Sequence, residues 1–178
     1  MVEVTRLWLV RHGATAWTEE GRFCGWSDLP LSDLGRHQLA PLRPALEDLE
    51  FHSTWASDLS RATESAEIAV GGATPDSRLR ELDFGELEGR TWDECSRAQQ
   101  EGLVGFDGFV SPGGESVAQL ELRVRDFIGD LRHGEHLIFT HGGVIRLLGR
   151  LAGRNIVARP GQMTVVDWGD VQSEGEAT

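Results

Sequence analysis

The sequence predicts an α/β fold, with a mostly parallel sheet flanked by helices. Three observations predict it. Short apolar runs alternate along the chain with longer segments of helical spacing. Several helical segments open on readable capping residues. Two of the apolar runs end in the same dipeptide, His-Gly, and in open parallel sheets the carboxyl ends of strands face the ligand crevice.

The elements follow in order. Leu7 to Val10 reads as a buried strand ending at Arg11-His12-Gly13. Leu34 to Leu49 has helical apolar spacing, but Pro41 and Pro44 argue against one continuous helix. Ser53 to Ala56 is a second strand, and Ser60 is placed to cap a helix over Arg61 to Val70. Thr91 with Glu94 fits a capping box that opens a helix to about Glu101. Gly102 to Gly114 carries five glycines and one proline and reads as a loop. Ser116 with Gln119 fits a second capping box, opening Val117 to Leu131. Leu137 to Phe139 is a third strand ending at Thr140-His141-Gly142-Gly143, with a helix over Gly143 to Leu151 behind it. Met163 to Trp168 is a fourth strand, and the acidic, polar stretch 169–178 reads as a flexible tail. No repeat or linker divides the chain, so one domain over 1–178 is expected.

Composition narrows the function. A chain of 178 residues, 39% hydrophobic and 26% charged, can bury a core without metal or disulfide staples. The net charge of −12 argues against nucleic acid or an anionic membrane as partner. Apolar runs reach roughly four residues, far short of the ~18 that a membrane span needs. No basic and apolar leader precedes the first strand, which points to the cytoplasm. Cys24 and Cys95 are the only cysteines, expected free, and no Cys/His metal spacing occurs. All 17 basic residues are arginine. Without lysine there is no Walker, Schiff-base or kinase-type lysine, so a phosphate site must use Arg, His and backbone amides.

His12 and His141 each stand at a strand end before glycine, which lets the chain turn sharply and bring amides close to a ligand. The helix after His141 would turn its N-terminus toward the same crevice, favouring an anion. His37, His52, His133 and His136 lie in polar surroundings and are read as surface or satisfied core residues. Arg11 and His12, as strand neighbours, would point to opposite faces, so only a bend brings both to one pocket. Arg61, in the first turn after the second strand, is by spacing alone either a pocket or a surface residue.

The ordered set of motifs resembles one family. Leu9-Val10-Arg11-His12-Gly13 with Thr15 and Trp17 resembles the signature of the histidine phosphatase superfamily, the phosphoglycerate mutase-like proteins. The match continues through Gly25-Trp26-Ser27-Asp28-Leu29-Pro30-Leu31-Ser32 and Gly35, then Ser57-Asp58-Leu59 with Arg61-Ala62. It resumes at Leu79-Arg80-Glu81-Leu82-Asp83-Phe84-Gly85 with Glu88-Gly89, at Pro112-Gly113-Gly114-Glu115-Ser116, and at Thr140-His141-Gly142-Gly143. The resemblance implies a three-layer sandwich with a small cap over about 90–114. It implies that His12 accepts the phosphoryl group, that Arg11, Arg61, His141 and the amide of Gly142 surround the phosphate, and that Glu81 is general acid and then base. It implies no cofactor and no metal.

Two departures stand out. Thr18 occupies a place where many relatives carry a phosphate-holding asparagine, for which a hydroxyl could substitute. Cys24, before Gly25, sits beside the expected pocket as a neutral wall rather than a nucleophile. The segment between Gly89 and Pro112 has 22 residues and only Arg90 and Arg97 as cations, which furnishes a mutase site poorly and favours hydrolysis. The Gly-Trp-Ser-Asp-Leu-Pro-Leu and Pro-Gly-Gly-Glu-Ser segments look like those of α-ribazole phosphatases of cobalamin synthesis. Trp92, Phe106 and Phe109 either wall the substrate's base or close the core under the cap. The expected partner is a small phosphorylated metabolite, with a homodimer compatible. A broad phosphatase, a phosphoglycerate mutase and a non-catalytic phosphate-binding module remain the alternatives.

Overall fold

The computed structural model describes residues 4–169, so all but Gly169 of the expected tail lies outside the described residues. Five strands form one sheet: β1 (Thr5–Arg11), β2 (Ser53–Ser57), β3 (Thr74–Asp76), β4 (Gly134–Thr140) and β5 (Met163–Trp168). Their order is β3-β2-β4-β1-β5. The pairs β1–β4, β2–β4 and β2–β3 are parallel, and only β5 runs antiparallel, against β1. The helices are α1 (Ala16–Glu19), α2 (Asp33–Leu39), α3 (Leu42–Leu46), α4 (Ser60–Val70), α5 (Arg97–Gly105), α6 (Val117–Gly129) and α7 (Gly142–Leu151).

Alternation along the strands explains the layers. Leu7, Leu9 and Ile138 point into one core with Leu120, Val124 and Phe127 of α6 and Val144, Leu147 and Leu148 of α7. Val10, Leu137 and Phe139 point to the other face, onto Leu39 of α2, Leu46 of α3, and Ala66 and Ala69 of α4. A strand buried on both sides must be apolar at every position, which is why β1 and β4 read as continuous runs. The result is the mostly parallel, helix-flanked α/β sheet that the sequence predicts.

Several local expectations change. Leu34 to Leu49 is two helices, broken where Pro41 takes the N-cap position of α3; Pro44 sits in the first turn, where no amide partner is lost. Thr91 and Glu94 do form a capping box, but on a single 3-10 turn over Trp92–Glu94. Cys95 is extended, and Ser96 with Gln99 opens α5, which runs into the stretch expected to be loop. Phe109 folds back over Gly102 and covers that helix. Ser60 is the first residue of α4 rather than its cap; its amide and hydroxyl bond to Asp28 at 2.7 and 2.8 Å. The short edge strand β3 was not anticipated, since Pro75 lies within it. Of the two readings for His136, the structure gives the satisfied core residue: Nδ1 bonds to the Ser53 hydroxyl and Nε2 to the Arg132 carbonyl, both at 2.7 Å. Among the described residues, no helix is long and apolar enough to cross a membrane.

Candidate active site

Parallel pairing of β1 with β4 puts Arg11 opposite Thr140, so the two His-Gly turns leave the sheet side by side. The amide of His12 donates to the carbonyl of Thr140 at 2.9 Å. After His12 the chain crosses the start of α2 backbone on backbone. A Cβ on Gly13 would lie 2.4 Å from the Gly35 carbonyl oxygen, and one on Gly35 would lie 2.1 Å from that of Ala14. Both glycines are therefore steric requirements of the turn that presents His12. That turn is also the bend required to bring Arg11 and His12 to one cavity, which both line.

The His12 and His141 rings stand 5.0 Å apart between centroids, in the buried floor of the site. His12 Nδ1 lies 2.6 Å from the Gly13 carbonyl. That contact requires a proton on Nδ1 and leaves the lone pair on Nε2. Burial, then the positive charges of Arg61 and Arg11, hold the His12 pKa well below the usual histidine value. The same causes act on His141, with burial first and Arg61 second. Both rings are neutral at physiological pH.

The arginines are held by backbone carbonyls. Arg61 is 0% exposed; it donates to the carbonyls of Ser27 and Gly25 at 2.9 and 2.6 Å. Arg11 donates to the Ala158 carbonyl at 2.8 Å, and burial lowers its pKa against the pull of Glu81. Carbonyls fix the guanidinium planes without cancelling their charge. Arg11 Nε, Arg61 Nε and both ring nitrogens of His141 are buried without a hydrogen-bond partner. Unpaired buried polar atoms of this kind are costly unless a ligand takes them up.

Glu81 reaches the same place from an irregular segment after β3. It is buried, and its carboxylate accepts from the amides of Leu82 and Gly143. Gly142 packs beside the Arg11 guanidinium. The cavity above them measures about 310 Å³ and is lined by Arg11, His12, Cys24, Glu81 and Gly142 among others. Arg61 and His141 are fully buried and do not line the cavity. Gly25 does not face the cavity; it contributes its carbonyl to Arg61 and leaves room for Glu88. Thr18 lines the cavity, but its hydroxyl donates to the Thr15 carbonyl at 3.0 Å within the capping box of α1. The Cys24 thiol points to the Ser27 carbonyl, and burial pushes its pKa up to about 11.

The outer wall was largely missed from sequence. Trp92 and Phe106 line it, while Phe106 and Phe109 both pack in the core, so Phe106 serves both roles. Phe23, Phe84, Leu103, Ile156 and Arg146 were not foreseen. Arg146 follows Gly142 by one helical turn, a signal that was available; Ile156 lies in an irregular segment that carried none. Phe106 is the only non-glycine residue with positive φ among those described (67°), and Arg146 stacks over its ring at 4.6 Å.

Known proteins resemble this chain in sequence and fold. Residues 7–168 match the family model described as histidine phosphatase superfamily (branch 1). The protein named "Probable phosphoglycerate mutase GpmB" of Salmonella choleraesuis is 38% identical over 151 residues, covering 77% of this chain and 69% of that one. The crystal structure of TTHB049 from Thermus thermophilus superposes with a TM-score of 0.86 at 42% identity, over 92% of this chain and 94% of the other. A structure from Escherichia coli described as "a putative alpha-ribazole-5'-P phosphatase" gives a TM-score of 0.78 at 26% identity, over 93% and 91%.

Proposed function

The chain belongs to the histidine phosphatase superfamily, and from that premise we propose that it hydrolyses a small phosphomonoester in the cytoplasm through a phosphohistidine on His12. The observation that carries this reading is the set of buried, unpartnered nitrogens of Arg11, Arg61 and His141 around a neutral imidazole. Phosphoryl transfer needs little covalent activation; it needs an aligned nucleophile and charge against the equatorial oxygens, which arginines supply without a metal. His12 Nε2 attacks phosphorus as the ester P–O bond breaks, and the departing oxygen takes a proton from Glu81. Water then attacks the phosphohistidine, the N–P bond breaks, and the water's proton passes to the Glu81 carboxylate.

Hydrolysis is favoured over mutase chemistry by the outer wall. A mutase must grip the substrate's carboxylate, and two arginines line the cavity beyond Arg11. Arg22 is ion-paired with Glu20 at 2.6 Å and bonded to the Gly89 carbonyl. Arg146 is held by the Leu103 carbonyl at 2.8 Å and by that of Val104 and keeps its charge, so the outer wall offers a substrate carboxylate one uncancelled arginine rather than a pair. The remaining wall is Phe23, Phe84, Trp92, Leu103, Phe106 and Ile156, which suits an apolar or aromatic leaving group. α-Ribazole 5′-phosphate is the substrate we put forward.

Phosphate release from a panel of phosphomonoesters in EDTA, with product analysis for 3-phosphoglycerate, tests this. Preferential release from α-ribazole phosphate is expected. Broad, weak release would leave the hydrolase and remove the named substrate. Interconversion of phosphoglycerates without release would make the chain a mutase, and no turnover of any kind would make it a phosphate-binding module.

A further inference from the structure

Pro112-Gly113-Gly114-Glu115 places no group in the cavity, yet it packs backbone to backbone against the segment that carries Glu81. A Cβ on Gly114 would lie 2.3 Å from the Asp83 carbonyl oxygen, and one on Gly85 would lie 2.3 Å from that of Pro112. The Glu115 amide donates to the Asp83 carbonyl at 2.9 Å, and its carboxylate accepts from the Asp83 amide at 3.3 Å.

Arg123 of α6 completes the clamp. Its Nε and Nη2 donate to the two carboxylate oxygens of Glu115 at 2.7 and 2.8 Å. Its Nη1 donates to the carbonyls of Arg78 and Arg80 at 2.8 and 2.7 Å, and Nη2 donates to the carbonyl of Glu81 at 2.8 Å. The two side chains are 16% and 11% exposed. Residues 80–84 belong to no helix or strand, so no regular hydrogen-bond ladder holds Glu81 in place. One planar guanidinium, itself oriented by one carboxylate, gathers the carbonyls on both sides of it.

We propose that Glu115 and Arg123 are a positioning pair for Glu81, setting where its carboxyl meets the leaving-group oxygen. This rests on the reading of Glu81 as proton donor. Misplacement by an ångström is enough to cost a proton transfer roughly 100-fold. The pair acts through Glu81, so in the phosphorylation step its removal should harm only the leaving groups that need that proton.

The test uses Glu115→Gln and Arg123→Lys, each alone and on a Glu81→Gln background. The quantity read is kcat/KM, which reports only the steps up to departure of the leaving group and not the later hydrolysis of the phosphohistidine. It is measured for an alkyl phosphate, whose alcohol must be protonated to leave, and for 2,4-dinitrophenyl phosphate, whose phenolate leaves unaided. Each single variant should lower kcat/KM for the alkyl ester by roughly 10- to 100-fold. The kcat/KM for dinitrophenyl phosphate should stay within about threefold, and neither change should add to the loss already caused by Glu81→Gln. Equal losses with both esters, or additive losses in the double variants, would overturn the proposal. Arg123→Lys keeps the charge and serves if Glu115→Gln does not fold. If Glu81→Gln shows no leaving-group dependence, the role of Glu81 fails and this inference with it. If Glu81→Gln shows it and the pair does not, positioning alone is wrong.

Discussion

Both carboxylate oxygens of Glu81 accept a hydrogen bond from the backbone amide of Gly143, at 3.1 and 3.0 Å. Gly143 is the second residue of α7, so Glu81 rests on the positive end of that helix. A Cβ at Gly143 would stand 2.2 Å from Glu81 Oε1. The glycine is there for the approach of a carboxyl group, since its own backbone is ordinary helix.

Gly143→Ala therefore separates stability from activity. Alanine is the better helix former by up to about 1 kcal/mol, so the unfolding midpoint should hold or rise. Glu81 must swing aside, and turnover of an alkyl phosphate should fall roughly 100-fold. Denaturant unfolding and steady-state kinetics on one preparation decide it; a fall in stability matching the fall in rate would contradict the steric account.

The two buried imidazoles predict an acid limb of stability. In the unfolded chain they protonate near pH 6.5; in the folded protein both pKa values lie well below that. Unfolding thus takes up protons as the pH drops. Stability is complete above about pH 6.5 and falls below it, by up to about 1.4 kcal/mol per pH unit for each ring. His12→Asn should flatten the slope between pH 6.5 and 5 in urea unfolding, and parallel slopes would show that other groups govern it.

An oxyanion should stabilise the fold. Inorganic phosphate at a hundred times its dissociation constant should raise stability by about 2.7 kcal/mol, read as a rise in Tm. Arg61→Met removes the buried cation whose charge acts on His12 and should weaken phosphate binding roughly 10- to 100-fold. Retention of the full thermal shift in this variant would place the phosphate elsewhere.

The apolar wall predicts a change of specificity without a change of chemistry. Phe106→Ala should raise KM for aryl phosphates roughly tenfold and leave glycerol phosphate nearly unaffected. Comparison of kcat/KM for the two esters checks it, and equal losses would mean that Phe106 only supports the cap.

Cys24 should be inert despite its place at the cavity. With its pKa pushed up to about 11, about one thiol in a thousand is thiolate at pH 8. Iodoacetamide should leave the native enzyme active and Cys24 unlabelled by mass spectrometry, with labelling only after unfolding.

The sequence alone carried the α/β class, the strands through His12 and His141, and the motif set that names the family. These features are legible because they are local. A strand buried on both faces must be apolar, a sharp turn needs glycine, and a capping box needs its two residues three apart. Only the tertiary structure decided what depends on contacts between distant segments. The end of α5 lies where five glycines suggested a loop, because Phe109 covers Gly102. His136 is buried because Ser53, on the neighbouring strand, supplies its partner. Thr18 spends its hydroxyl on its own helix, and Gly25 serves Arg61 from behind the cavity. The hold of Glu115 and Arg123 on Glu81 spans more than thirty residues of chain, and no periodicity records it. Local pattern fixes which groups a chain presents, and packing between remote segments fixes which of them can meet.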